Sequence, residues 1–158
     1  MALKNSEEQN SKSNDAKSSE DVQKEVLYIG LDLGTSQSAI ATSTGIRINA
    51  ASVVGWPKDL ISYKLHQKTI LFGNECLRNR MSVDIFHPLE KGVILTSSKA
   101  KKSADAERKD AAPVEFIRHM LSLAEPKDNQ KKFLVVGAPA EASVDDKQAI
   151  IEATEGQV

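Results

Sequence analysis

Residues 27–45 read LYIGLDLGTSQSAIATSTG, two runs of small and β-branched apolar residues on either side of Gly34, Thr35 and Ser36. The first arm, 26–33, is a nearly continuous apolar run, which predicts a strand buried on both faces of a sheet. The second arm, 38–44, alternates less cleanly but tolerates β structure. Together they predict a β-hairpin that holds phosphate. Gly34 reaches backbone conformations closed to other residues, so successive amide N–H groups can converge on an anion, and Thr35 and Ser36 add hydroxyl donors. Asp32, just before the turn, would repel a phosphate unless a cation lay between them. Magnesium, which keeps several waters and bridges carboxylate to phosphate, resolves that conflict. Asp-x-Gly-Thr also makes an ordinary hairpin turn, so the pattern by itself leaves both readings open.

Downstream of the hairpin, residues 46–54 supply a third strand that completes a meander, and Gly55-Trp56-Pro57-Lys58-Asp59 breaks it. Trp56, beside Pro57, reads as the anchor of a loop to the core rather than a ligand platform. Two β-prone arms within 61–72 surround His66-Gln67-Lys68 and predict a second hairpin that ends at Gly73, with His66 solvated in its turn. A short helix follows over 74–81, and 88–94 (PLEKGVI) returns through a loop into an extended segment. Residues 96–110, dense in Lys, Ser, Asp and Ala, read as a solvated loop or helix lead-in. Pro113 then fits a helix first turn, with Val114, Ile117, Leu121 and Ala124 at helical spacing as core and Pro126 as the stop. The run 133–136 predicts a strand. Beyond Gly137-Ala138-Pro139-Ala140, Ser143-x-x-Asp146 caps a helix through Ala153 that ends at Gly156. A helix packed on a parallel sheet normally delivers the chain to another strand by a right-handed crossover. That strand is not in the sequence, so the domain is expected to be incomplete.

Bulk properties exclude several classes. The 158 residues are enough to bury a core without staples. The single Cys76 has no disulfide partner and no metal-ligand neighbours, and fits a reducing compartment as structural filler. Neither His87 nor His119 stands at metal-ligand spacing from another His or Cys. A net charge of −1 offers no general attraction for polyanions, so nucleic acid is not an expected partner. No apolar stretch approaches a membrane span and no signal core precedes the hairpin, so a cytoplasmic protein without direct membrane insertion is expected. Residues 1–25 are Ser, Asn, Gln, Glu and Lys with almost nothing to bury, and predict a disordered polar tail.

The stretches GLDLGTS (30–36), SVVGWPKD (52–59), FGNE (72–75), HPLEKGVI (87–94) and VVGAPA (135–140) occur in the order found in actin-like ATPases, which the chain resembles over residues 26–158. The first stretch is shared with Hsp70 chaperones and sugar kinases. The second and fourth narrow the likeness to the magnetosome-associated bacterial actins, ahead of shape-determining and plasmid-segregating ones. The resemblance implies an α/β fold: the N-terminal lobe of an actin-like, ribonuclease H-like domain, a mixed sheet with flanking helices, apparently incomplete, with a small outer subdomain at about 45–95. It implies ATP and Mg as cofactors. Asp32 would face the magnesium through water, and Gly34, Thr35 and Ser36 would contact the β- and γ-phosphates. It also places the catalytic glutamate, the second phosphate loop and the adenosine pocket beyond this sequence, so no catalytic residue is assigned and turnover by these residues alone is not expected.

On this likeness an intact relative polymerises, hydrolyses ATP slowly and organises magnetosomes into a chain. Its partners are further copies, a full-length actin-like filament and magnetosome-associated proteins, and its place is cytoskeletal, alongside the magnetosome chain. Two other functions fit parts of the pattern. One is a non-catalytic interaction module that caps or joins filaments of a full-length partner. The other is the N-lobe of a sugar or acetate kinase, for which no recognisable set of acceptor-binding polar residues is present.

Overall fold

A computed structural model of the chain describes residues 26–90, 93–94, 103–127, 130–137 and 144–155. The polar tail 1–25, the Ala138-Pro139-Ala140 turn, the Ser143 cap and the Gly156 stop lie outside the described residues, as do parts of the 88–94 and 96–110 segments.

The hairpin forms as the sequence predicts: β1 (Val26–Asp32) pairs antiparallel with β2 (Gln37–Thr42), Leu31 facing Ile40. The third strand, β3 (Arg47–Ala51), completes the meander on β2. The sheet order is β3-β2-β1-β9, where β9 (Lys131–Gly137) lies parallel to β1 along its whole length, from Val26↔Lys131 to Asp32↔Gly137. The sheet is therefore mixed, antiparallel on one side of β1 and parallel on the other.

β1 is not buried on both faces. Leu27, Ile29, Leu31 and Leu33 point into the core, whereas Val26, Tyr28, Gly30 and Asp32 point outward. The apolar run hides a period of two, because side chains alternate across a strand, and both long helices pack on one side. The first of them, α3 (Ala104–Ser122), contributes Phe116, Ile117, Met120 and Leu121 to the cluster built on β1; the second, α4 (Val144–Thr154), contributes Ile150 and Ala153. On the outer face Tyr28 stacks on Phe133, and Lys131 lies over the Phe133 ring.

The α3 helix begins well before Pro113. Ser103 caps it, its hydroxyl accepting from the Ala106 amide, and Pro113 is buried inside rather than in the first turn. The preceding Ala-rich segment propagates the helix while its charged side chains stay toward water. Arg108 reaches Asp84 at 3.2 Å. Val114 stands at the exposed margin, whereas Ile117, Leu121 and Ala124 are buried. The helix ends at Ser122, ahead of Pro126.

Between β3 and α3 the chain makes a second, smaller sheet, ordered β5-β4-β6 from β4 (Val54–Pro57), β5 (Leu71–Phe72) and β6 (Val83–Phe86). The Gly55-Trp56-Pro57 stretch is thus strand, not break, and Trp56 packs edge-on to Phe86 against the main core. The second hairpin expected over 61–72 is instead a helix, α1 (Leu60–His66), followed by β5. Asp59 decides this: its carboxylate accepts from the Ser62 amide at 2.8 Å, and Gln67 closes the helix in the left-handed region. His66 is accordingly not a solvated turn residue; its Nε2 meets the Ser82 hydroxyl at 2.7 Å. The predicted short helix forms as α2 (Gly73–Arg78), and Leu89–Glu90 (β7) pairs with Val93–Ile94 (β8). Ala51, Val53, Leu71, Cys76 and Val83 make a separate small cluster. Burial pushes the Cys76 thiol up to about 12, helped by the neighbouring Glu75 charge, so it stays protonated and inert, consistent with its reading as filler.

His119 of α3 stacks on Phe72 with ring centres 4.2 Å apart, tying the helix to the smaller sheet. Burial holds its pKa below the ordinary value; Glu75 opposes the shift and Lys68 adds to it. The unfolded chain then binds the proton more readily than the folded one, so stability contributed by the neutral ring is complete above the unfolded pKa and is lost as pH falls below it and through the lower folded pKa. We expect the Tm to fall between about pH 7 and pH 5.5, and less steeply in His119→Phe, which keeps a ring against Phe72. Equal slopes in the two proteins would exclude His119 as a source of that loss.

Candidate functional site

The turn between β1 and β2 is held from beneath by two buried hydroxyls. Ser52 Oγ donates to the Gly34 carbonyl at 2.6 Å and meets Ser38 Oγ at 2.9 Å. Ser38 Oγ in turn accepts from the Gly34 amide at 3.3 Å, and the Ser52 amide donates to the Ser36 carbonyl at 2.9 Å. Both serines are buried. Hydrogen-bonded to each other and to the turn, they satisfy their own polar groups and fix the loop backbone. The alternation of β2 places Ser38 inward, level with Ala50 of β3. Ser52 follows the end of β3.

Gly34 owes its place to space. The positive-φ glycines among the described residues are Gly45 and Gly73. A methyl group on Gly34 would instead overlap the Gln37 carbonyl oxygen, so the loop closes this tightly only without a side chain. Its amide is already engaged by Ser38, which leaves the exposed stretch Thr35, Ser36 and Gln37 as the part of the turn facing water.

Asp32 is exposed at the end of β1, opposite Gly137 at the end of β9. A Cβ on Gly137 would stand 3.2 Å from Asp32 Oδ1, so glycine keeps room beside the carboxylate. The four residues singled out from the sequence, Asp32, Gly34, Thr35 and Ser36, therefore share one rim, at the carboxyl ends of two adjacent parallel strands, where ligands of open α/β sheets bind. Three oxygen-bearing groups are close in sequence there: a carboxylate and two hydroxyls, a set suited to a hydrated magnesium ion and to phosphate oxygens. Among the described residues no group of three or more His, Cys, Asp or Glu could hold a metal unaided. Sequence reasoning passed over Ser38, Ser52 and Gly137. Ser38 was legible in principle as a polar residue at an inward strand position, but the Ser38–Ser52 contact needs the register of three strands.

The solved structures that this mixed sheet and its helices resemble have an actin fold. The chain superposes on a MamK double helical filament with a TM-score of 0.75 at 33% sequence identity, covering 84% of this chain and 38% of that one. A non-polymerising MamK mutant bound to AMPPNP gives a TM-score of 0.71 at 33% identity, covering 85% of this chain and 39% of that one. MreB5 of Spiroplasma citri bound to ADP, at 17% identity, has a TM-score of 0.58 over 84% of this chain and 35% of that one, a likeness of fold. No family model matches the chain. In sequence it is 34% identical over 126 residues to the actin-like protein MamK of Paramagnetospirillum magneticum, and equally so to MamK of Magnetospirillum gryphiswaldense. The chain is an actin-like, MamK-related protein. Each alignment takes in 80% of this chain, and the chain spans about a third of the length of these relatives, 34% and 33%.

Proposed function

We propose that the chain is the N-terminal, phosphate-holding lobe of an actin-like filament protein. In this reading it binds the triphosphate of ATP with magnesium at the β1–β2 turn, and the whole protein self-assembles into filaments that organise magnetosomes. Asp32 holds the hydrated magnesium, and Thr35 and Ser36 contact the β- and γ-phosphates beside Gly34. The smaller sheet with α1 and α2 forms the core of the outer subdomain, within about 45–95. The observation that carries this reading is the serine clamp on Gly34 at the rim shared by Asp32 and Gly137. The AMPPNP-bound and filamentous MamK structures support the nucleotide and the self-assembly.

Bound magnesium would neutralise phosphate charge. The residues of this chain position: the serines hold the turn, and Asp32 orients the ion's water shell. In-line hydrolysis also requires a group that orients water from an opposing lobe, and no described residue is assigned that task, so the chain by itself is expected to bind weakly and not to turn over ATP.

The test is a titration of isotopically labelled protein, residues 1–158, with MgATP followed by amide NMR. Shifts are expected to concentrate at residues 33–38 and to require magnesium. Asp32→Ala should leave the spectrum of the free protein folded and weaken the magnesium-dependent shifts by about tenfold or more, the loss of one charge-assisted contact. Shifts absent from the loop at saturating nucleotide, or unchanged in Asp32→Ala, would overturn the assignment.

A further inference from the structure

Ser52, which holds the Gly34 carbonyl, belongs to a two-residue joint. With Val53 it fills the gap between β3, which ends at Ala51, and β4, which begins at Val54, so the chain passes from the main sheet into the smaller one through this pair. One side of the joint is bonded to the turn: Ser52 Oγ donates to the Gly34 carbonyl at 2.6 Å and the Ser52 amide to the Ser36 carbonyl at 2.9 Å. The other side is bonded to the start of α2. There the Gly73 amide donates to the Val53 carbonyl at 3.0 Å, and Phe72 pairs with Val54 in the β4–β5 ladder. Gly73 also lies close to the end of β3, where a Cβ on it would stand 3.6 Å from the Ala51 carbonyl oxygen. Phe72 and Gly73 therefore cannot shift without pulling on the backbone groups that hold the turn.

Phe72 is fixed in turn by His119. Their rings stack face to face, with 4.2 Å between centres and 5° between planes. His119 rides on α3, whose Phe116, Ile117 and Met120 are buried in the main core, so the imidazole is a fixed point against which the start of α2 rests. An aliphatic side chain could pack there as well; a ring with a titratable proton makes the contact depend on pH. Burial is the largest influence on that proton and favours the neutral ring. Of the charged groups around it, Glu75 of α2 favours the imidazolium and Lys68, ahead of β5, opposes it, and these two pair with each other at 2.7 Å. Glu115 and Arg118 of α3 pair with each other at 2.6 Å, and Asp84 of β6 pairs with Arg108. Protonation brings water to a half-buried ring and changes its attraction for the Phe72 face, so the contact differs between the two states.

We propose that His119 is a positioning residue for the phosphate turn, acting through Phe72, Gly73 and the Ser52–Val53 joint, so that its protonation reshapes the turn. The effect on affinity rests on the nucleotide reading; the coupling itself is read without nucleotide. Isotopically labelled protein, residues 1–158, is titrated with acid in the absence of ligand, and the His119 ring resonances are followed by NMR together with the amides of Gly34, Ser36 and Ser52. Those amides are expected to move with the His119 midpoint, which lies below the ordinary histidine value. They should lose that inflection in His119→Phe, which keeps a ring against Phe72 and removes this titration while leaving His66 and His87 in place. Equal profiles in the two proteins overturn the proposal, as do turn amides that stay still while His119 titrates. With MgATP, His119→Ala should bind about three- to tenfold more weakly than the parent at neutral pH while still melting cooperatively, and His119→Phe should restore the affinity. Below the His119 midpoint the parent should bind about threefold or more weaker than His119→Phe at the same pH, a comparison that cancels protonation of the nucleotide. His119→Ala binding as the parent does across the range also overturns the proposal. Magnesium-dependent shifts absent from every protein, the parent included, overturn the nucleotide reading alone, and the ligand-free titration then decides the coupling.

Discussion

Leu33→Asp is expected to leave the chain unfolded. Leu33 follows β1 directly and is 2% exposed within the cluster that β1 shares with α3 and α4. Removing a buried leucine side chain costs about 2–5 kcal/mol from lost transfer energy and the cavity left behind. An aspartate in that space adds a further penalty of several kcal/mol, roughly, for an ion taken from water without a partner. Against a domain stability on the order of 5–15 kcal/mol, the sum removes the folded state. Circular dichroism and amide dispersion should both report its loss at room temperature. Leu33→Met, which keeps volume and apolarity, should cost less than about 1.5 kcal/mol and retain a cooperative transition. A folded, cooperatively melting Leu33→Asp protein would mean that this end of β1 is not core.

Gly34→Val is the sharpest test of the turn. Its Cβ would overlap the Gln37 carbonyl, a backbone atom that cannot rotate away, so the loop must open. Opening pulls the Gly34 carbonyl from Ser52 Oγ and the Gly34 amide from Ser38 Oγ, leaving two buried hydroxyls short of a partner. The expected loss of stability is about 2–4 kcal/mol from strain and unsatisfied polar groups, read as a lower denaturation midpoint with the chain still folded. The magnesium-dependent shifts at residues 33–38 should disappear altogether, a larger effect on binding than Asp32→Ala produces. Gly34→Val binding MgATP as the parent does would remove the turn from the site.

The resemblance carried by GLDLGTS, SVVGWPKD and HPLEKGVI led to the actin-like assignment, and the superposition on MamK structures agrees with it. The hairpin, the third strand, the 133–136 strand and the helix after it were legible because each has a local signal: turn residues between apolar arms, or helical spacing after a break. The misread segments failed for physical reasons that act over longer distances. The stretch 61–72 is β-prone in composition, yet the hydrogen bond that the Asp59 carboxylate accepts from the Ser62 amide, with the pairing of Leu71–Phe72 with β4, made its first half a helix. Pro113 marks a first turn in isolation, but Ser103 had already started the helix.

By itself, then, the sequence determined which residues can turn, which carry oxygen ligands, and that Asp32, Gly34, Thr35 and Ser36 lie together, because neighbours in a tight turn need no tertiary contact to be neighbours. Only the tertiary structure decided which face of β1 is buried, that Ser38 and Ser52 meet beneath Gly34 from residues fourteen apart, that Gly137 stands opposite Asp32, and that α1 turns its leucines outward. Each of these depends on strand register or on which side of a sheet the helices take. Those choices are fixed by burying the chain as a whole, not by the preferences of any one segment.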